Sequence, residues 1–522
     1  MVGLIVKVSI IVLYLFLSAC FMVGPDYKEP EKKVADHWLT QSSAVKETKL
    51  KNAEWWTVFH DPTLTSLINQ GYQNNISLQS TAAHVMQTRA QLAQSVGELY
   101  PQQQNLMGNL TYQRMGGQSL QFVLPSDFVT VLLGVTASWE IDFWGKYRRA
   151  ILSNDAAFLA SFAAYDNALV TLTSDVASTY SSIRTTEELI HVTKKNIDVQ
   201  AMGLKIAKSR FNAGETSLLD VEQAQTELSQ TQSTLPTLRS ELRQQKDMLG
   251  VLLGTTPDKV DVLLVPKQGI PIAPSRVAVG IPKETLINRP DIAQSRLEAI
   301  AQSEAIGAAK ANLFPSLSLT GTFAFASNNI GTSSLGNIFN WSNRTITAGP
   351  ALNWPLLNYG QITNSVRMQD AAYQQAELNY RNLVLKAQQE VQDDITKFIE
   401  TRKAESYLQT ANHAAIKSTQ LSMIRYREGE SDFTPVLDAE RQQLQVQLSL
   451  TNSKGDIPKA LVALYRALGG GWQIRNCNDI VPKRIKEEMA ARTGWGTLLK
   501  QQNHQPPNSK QRQTSDLYLP NW

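Results

Sequence analysis

The constraint that governs this chain is a repeat: much of the second half reads as the first half displaced by 215 residues. Trp139 and Trp354 share that offset, as do Gly145 and Gly360, Asp155-Ala156-Ala157 and Asp370-Ala371-Ala372, and Tyr165 and Tyr380. Arg210, Phe211, Gly214 and Glu215 correspond to Arg425, Tyr426, Gly429 and Glu430, and Leu253-Gly254 to Leu468-Gly469. An offset one residue shorter aligns Leu99-Tyr100-Pro101 with Leu313-Phe314-Pro315. Solenoid units run to roughly 20–50 residues, so this is one structural unit used twice and not a stack. The units span 61–260 and 283–470, and the linker 261–282 includes the stretch from Pro266 to Pro282.

Within each unit the pattern predicts a helix, two strands, a very long helix and a returning helix. The strands alternate. Leu106, Leu110 and Tyr112 oppose Asn109, Thr111 and Gln113, while Val129, Val131, Leu133, Val135 and Trp139 oppose Thr130, Thr136, Ser138 and Glu140. In the second unit Leu317, Leu319, Phe323 and Phe325 oppose Ser318, Thr320 and Thr322, and Ile346, Ala348, Leu352 and Trp354 oppose Thr345, Thr347 and Asn353. This alternation fits a membrane strand with a wet interior, and equally a soluble half-buried sheet. Pro350 argues against a fully paired central position for the last strand. From Gly360 to Tyr426 there is no proline and no further glycine, which at about 1.5 Å per residue makes a helix of about 100 Å. Its counterpart, Gly145 to Phe211, is interrupted only by Gly203. Such polar, small-residue helices suit a wall of thin helices wet on one face. Gly214 and Gly429 mark their ends, and Pro236 should bend the first returning helix.

The N-terminus restricts location. Lys7 precedes an apolar run from Val8 to Leu17, closed by Leu17-Ser18-Ala19-Cys20, the pattern of a secretory signal over 1–19. Leu-Ser-Ala-Cys resembles the bacterial lipoprotein box, which implies acylation of Cys20 and a lipid-anchored extended segment over 20–60. Phe21 stands where an aspartate would resemble an inner-membrane retention signal, which favours the outer membrane. Cys477 is the other cysteine of the chain's two, so a disulfide framework is excluded; it reads as a buried small hydrophobe or a free thiol without assigned role. A net charge of +4 on 522 residues, with both signs intermixed, argues against nucleic acid. A sheet edge cannot stand open in hydrocarbon, and four strands are too few to close a barrel. Membrane strands would therefore be shared among several chains, in a number the strand count leaves open.

Several segments together resemble the TolC-like outer-membrane factors, in particular their OprM and NodT lipoprotein branch. They are Cys20 with Val23-Gly24-Pro25-Asp26-Tyr27, then Trp139 through Lys146, Arg289-Pro290-Asp291-Ile292 and Asn312-Leu313-Phe314-Pro315. They continue with Gly349-Pro350, Trp354-Pro355-Leu356, Tyr426 through Gly429 and Val436-Leu437-Asp438-Ala439. The resemblance implies an α+β membrane protein: a homotrimer whose four strands per chain make a twelve-stranded barrel, above a periplasmic α-helical barrel with a mixed belt. It also implies an outer-membrane conduit of a tripartite efflux system, with a periplasmic adaptor and an inner-membrane pump of RND type as partners. Asp438 matches the acidic ring of the gate and Tyr426 the closed-state tyrosine. Thr434 stands where the OprM type has an apolar ring residue, and Ser431 replaces an arginine of the TolC type. The turns carrying Arg210, Phe211 and Gly214, and Arg425, Arg427 and Gly429, match adaptor-docking tips. The plainer readings are a solvated helix residue for Asp438 and simple helix stops for the tips.

No cofactor or metal is expected. The six histidines are scattered with no paired ligand spacing, and neither a phosphate loop nor a nucleophile elbow is present. The remaining alternatives are a lipid-anchored adaptor, which has one hairpin and no duplicated strand pair, and a structural or enzymatic lipoprotein, for which no convergent polar site is visible. In the tail, 471–522, the pattern breaks from Cys477 onward, Gln501 to Gln513 is rich in Gln, Asn, Lys and Pro, and the tail is expected to be largely disordered or to lie loosely around the helical barrel.

Overall fold

The computed structural model describes residues 22–31, 34–39, 45–47, 53–115, 125–265, 269–280, 282, 286, 288–331, 334–475, 478–500 and 517–518. The signal segment, Cys20, Cys477 and the run from Gln501 to Gln513 lie outside them.

Four strands form one antiparallel sheet: β2 (Gln103–Arg114), β3 (Asp127–Ile141), β5 (Ser316–Asn328) and β6 (Arg344–Asn353), in that spatial order. Residues paired across neighbouring strands share a face, and the register sorts the side chains. One row runs Leu106, Val135, Phe323, Ile346; the adjacent row runs Asn105, Thr136, Thr322, Thr347. The apolar rows are not covered, Leu106 being 76% and Leu352 71% exposed. Strands β2 and β6 are edges, and Pro350 sits on the edge strand β6, where a missing N–H is tolerated.

At the helical end of the sheet the two strand pairs are seated alike. Trp139 donates its indole N–H to the Leu99 carbonyl at 3.1 Å, and Trp354 donates to the Leu313 carbonyl at 3.2 Å. Each acceptor lies two residues before the proline that opens a strand pair. The long helices follow. α3 (Lys146–Asn212) and α7 (Gln361–Arg427) have 67 residues each, about 100 Å at the standard rise. Gly145 and Gly360, at φ near +80°, turn the chain into them, a left-handed conformation that costs glycine least. The returning helices are α4 (Leu218–Leu252) and α8 (Thr434–Ala467), which carry Pro236 and Pro458 inside them. The helix preceding the first strand pair is two pieces, α1 (Pro62–Asn74) and α2 (Ile76–Gly97), whereas α6 (Pro290–Ala311) before the second is single. The break is made by Asn75: its Oδ1 accepts from Leu78 N at 2.8 Å to cap α2, and its amide donates to the Leu252 carbonyl at 2.9 Å.

The main core forms a belt around the middle of α3 and α7. Trp55, Trp56, Tyr165, Tyr180, Phe398 and Leu461 are buried there, with Trp55 stacked on Tyr465 at 5.2 Å. The stretch read as a linker contributes α5 (Pro257–Leu263) and β4 (Val277–Val279), the latter parallel to β1 (Val45–Glu47). Beyond Cys477, α9 (Lys483–Arg492) seats Met489 in this belt, with Val481, Trp495 and Leu499 beside it. The apolar spacing of 481–499 is too sparse to form a stripe, and only contact with a finished belt gives it a place.

The N-terminal chain is held at the junction of sheet and helices. Val23 N donates to the Trp144 carbonyl at 3.0 Å, and Gly24 lies against Gly307 so closely that an added Cβ would fall 2.4 Å from its Cα. Arg149, fully buried, pairs with Glu304 at 2.7 Å and Asp26 at 2.9 Å and reaches the Val23 carbonyl at 3.3 Å. Replacing it strands the Glu304 carboxylate in a low-dielectric site. Arg149→Ala is expected to lose about 3–5 kcal/mol, checked by denaturant titration, and to expose residues 22–26 to protease. A loss near zero would contradict this account of the clamp.

Candidate functional site

The chain's two sharp tips lie together at the end opposite the sheet. Both are built alike. The N–H of Glu215 bonds the Arg210 carbonyl at 2.9 Å and that of Glu430 the Arg425 carbonyl at 2.9 Å, closing each helix over a left-handed glycine, Gly214 or Gly429. In each turn an arginine clasps the glutamate after the glycine, Arg210–Glu215 at 3.3 Å and Arg425–Glu430 at 3.8 Å. Arg427 pairs with its neighbour Glu428 at 3.0 Å, and Phe211 and Gly214 are exposed.

The first tip grips the second. Arg210 donates through Nη1 to the Tyr426 carbonyl, and its guanidinium lies 4.7 Å from the centre of the Tyr426 ring. Tyr426 is fully buried, packs edge-on against Phe433 at 5.1 Å, and donates its hydroxyl to Asp220 Oδ2 at 3.2 Å. Thr216 donates to the same carboxylate oxygen. Leu204, Val221, Leu228, Val436 and Leu437 close a small core beneath them, separate from the belt. Burial pushes the Tyr426 phenol above its usual range, so it is a proton donor throughout the physiological range.

Asp438 and Thr434 are not part of that network. Both are exposed on the first turns of α8, four residues apart and hence on one face. Ser431 is half-buried and donates only to the neighbouring Asp432 carbonyl at 3.2 Å. Among the described residues no group of three or more His, Cys, Asp or Glu lies close enough to hold a metal ion.

Sequence reasoning missed Asp220, Phe433 and Glu440. The signal was in the repeat, at the places where it fails. Phe211 becomes Tyr426, Asp220 becomes Pro435 and Leu218 becomes Phe433 on shifting by 215. The two hairpin tips differ where they touch each other, one supplying the hydroxyl and the other the carboxylate. Glu440 lies farther up α8, 3% exposed, with one carboxylate oxygen unpartnered. It faces Gly203, whose added Cβ would stand 3.1 Å from Glu440 Oε1. The lone interruption of the long helix is thus the space that this carboxyl group occupies. Burial, with Glu227 nearby, pushes Glu440 up to about 7; Glu227 itself is held by Arg441 at 2.7 Å.

An uncovered apolar sheet with two free edges, carried on helices of about 100 Å that end in interlocked turns, defines a channel subunit of the outer membrane. The chain belongs to the outer membrane efflux protein family, whose sequence model matches residues 67–255 and 281–470. It is 29% identical over 484 residues to the solvent efflux pump outer membrane protein SrpC of Pseudomonas putida, covering 88% of this chain and 97% of that one. Nodulation protein T of Rhizobium leguminosarum bv. trifolii is 27% identical over 461 residues, covering 88% and 96%. Among solved structures, the outer-membrane channel OprN matches with a TM-score of 0.78 and 27% identity, over 87% of this chain and 100% of that one.

The Glu440 environment gives a pH prediction. The raised value means that the proton is held more tightly in the fold than in the unfolded chain, whose ordinary value is 4.5. Its stabilisation is complete below that value and is lost as the pH rises through about 7. The wild type should therefore lose on the order of 1 kcal/mol per pH unit across this window. Glu440→Gln, neutral at every pH, should flatten the dependence and melt higher at about pH 8. Thermal unfolding of both proteins across the window is the measurement, and parallel curves would refute the assignment.

Proposed function

We propose that three copies of this chain build the outer-membrane conduit of a tripartite efflux machine, passive in itself and gated at the helix tips. The observation that carries this reading is the sheet: its apolar rows are exposed on the edge strands and, among the described residues, both its edges are free. In hydrocarbon each unpaired backbone group costs several kcal/mol, and one chain has half the strands of the smallest membrane barrel. Pairing β6 of one copy with β2 of the next removes every edge, and three copies give a twelve-stranded barrel with threonine, asparagine and serine inside. The strands, of 10 to 15 residues, are long enough to cross. Two hairpins per chain, from what we read as one duplicated unit, then supply the wall of a periplasmic helical tunnel.

The N-terminal clamp supports the lipid anchor. Met22 packs against Gly145, its Cα standing 2.9 Å from where a Cβ there would lie, at the base of the sheet. An acyl group on Cys20, two residues earlier, would enter the bilayer where the barrel meets it. At the other end the exposed Arg425, Arg427, Gly214 and Gly429, with Phe211, and the half-buried Arg210 behind them, form the surface for a periplasmic adaptor, through which an inner-membrane pump of RND type supplies the energy.

For the gate, the buried Arg210–Tyr426–Asp220 arrangement holds the second hairpin against the first, and Asp438 and Thr434 face the throat. Ser431, bonded only to its neighbour, takes no part in the lock. Three Asp438 carboxylates around a narrow opening would concentrate cations there. The purified full chain should form cation-selective pores in planar bilayers, and Asp438→Ala should lower the cation-to-anion permeability ratio several-fold, read as a shift in reversal potential under a salt gradient. An unchanged reversal potential would remove Asp438 from the throat, and a wild type without any conductance would overturn the conduit itself.

A further inference from the structure

The far rim of the sheet, away from the helices, has a composition that the rest of the sheet lacks. Four strands and their two connections, residues 103–141 and 316–353, hold four charged side chains. Glu140 is at the helical end; Arg114, Asp127 and Arg344 are all at the far end. The connection between β5 and β6 contains no charged residue. Its described part does not fold across the end of the sheet alone but returns onto the apolar face. Phe339 packs on Phe325 at 5.8 Å and Trp341 on Phe323 at 6.5 Å, both rings remaining more than 60% exposed.

Arg344 completes this arrangement. Its guanidinium lies 4.5 Å over the Trp341 ring and donates Nη1 to the Trp341 carbonyl at 2.6 Å. In register it stands beside Phe325, so it belongs to the apolar face. Arg114 is on that face too, two residues beyond Tyr112 and opposite Asp127, whose Oδ1 is occupied by the Ser126 hydroxyl at 3.0 Å. Among the described residues neither arginine has an ion-pair partner within 4 Å. The sheet is also staggered. The row through Arg344 crosses β2 at Gly108, six residues short of Arg114. A closed barrel requires such a stagger. Repeated in each copy, it brings the outer end of the neighbouring copy's β2, with Arg114, beside Arg344 at the seam.

We propose that Arg344 of one copy and Arg114 of the next, bedded on Trp341 and Phe339, bind the phosphate of a membrane-lipid headgroup at the outer rim of the barrel. The inference rests on the reading of the apolar face as lipid-facing and assigns that face its polar boundary. Guanidinium forks match phosphate oxygens, and aromatic rings favour the depth at which headgroups meet acyl chains. Two arginines against one aspartate leave each rim sector with a net positive charge, complementary to an anionic lipid.

The test uses the purified full chain, as assembled, in native mass spectrometry with a bisphosphorylated lipid A and with the same lipid stripped of both phosphates. The wild type should retain the phosphorylated lipid about tenfold more strongly, and Arg114→Gln with Arg344→Gln should abolish that preference while leaving the dephosphorylated lipid bound as before. Equal retention of the two lipids by the wild type, or an unchanged preference in the double variant, would overturn the site. Conductance of the same preparations separates the two levels: pores without lipid preference refute the rim site alone, whereas a wild type that forms no pore refutes the membrane placement beneath it.

Discussion

A backbone N–H or C=O that leaves water must find another partner, and most of this molecule can be understood from that requirement. Among the described residues the main sheet has four strands, leaves both edges free and carries a row such as Leu106, Val135, Phe323 and Ile346 on one face. Such a sheet is unfinished. On the proposed membrane reading, lipid can cover its apolar rows but cannot pair its edges, and the call for further copies then follows from the hydrogen bonds and not from the side chains. The stagger across the sheet is compatible with an edge that another copy completes, and Pro350 leaves one position of β6 without a donor for any ladder.

The rest of the chain holds that sheet at one end of a long lever. Helices of 67 residues cannot be fixed along their length by one globular core, and the structure fastens them at three levels. Near the sheet, Arg149 draws the N-terminal chain, α3 and α6 together through Asp26 and Glu304. At mid-length the aromatic belt of Trp55, Trp56 and Tyr465 gathers the termini and the segment between the two halves. At the tips, a small core and the Tyr426–Asp220 bond replace it. The last adjoins a carboxyl group, Glu440, whose hold on its proton burial strengthens.

Much of this was legible beforehand. The strand boundaries followed from alternation, because a period of two has no other economical reading, and the long helices from the absence of proline over more than sixty residues. The tip glycines were visible because a left-handed residue closes a helix in either copy. Less legible were the break at Asn75, where a single side chain caps one helix and ties down another, and the packing of residues 481–499 on the belt. The partners of these groups are distant in sequence, and no local spacing encodes them. At the tips Tyr426 and Asp220 meet at positions whose counterparts at the 215-residue offset are Phe211 and Pro435, so the similarity between the halves did not point to them.

The sequence by itself determined the strands, the long helices and the alternation that gives the sheet one apolar and one polar face, since each depends on periodicity or on backbone freedom within a short stretch. Tertiary structure alone decided which residues meet: Tyr426 with Asp220, Gly203 with Glu440, Arg149 with two acids. Charge and polarity act over a few ångströms, and only the folded chain brings residues hundreds of positions apart to within that distance.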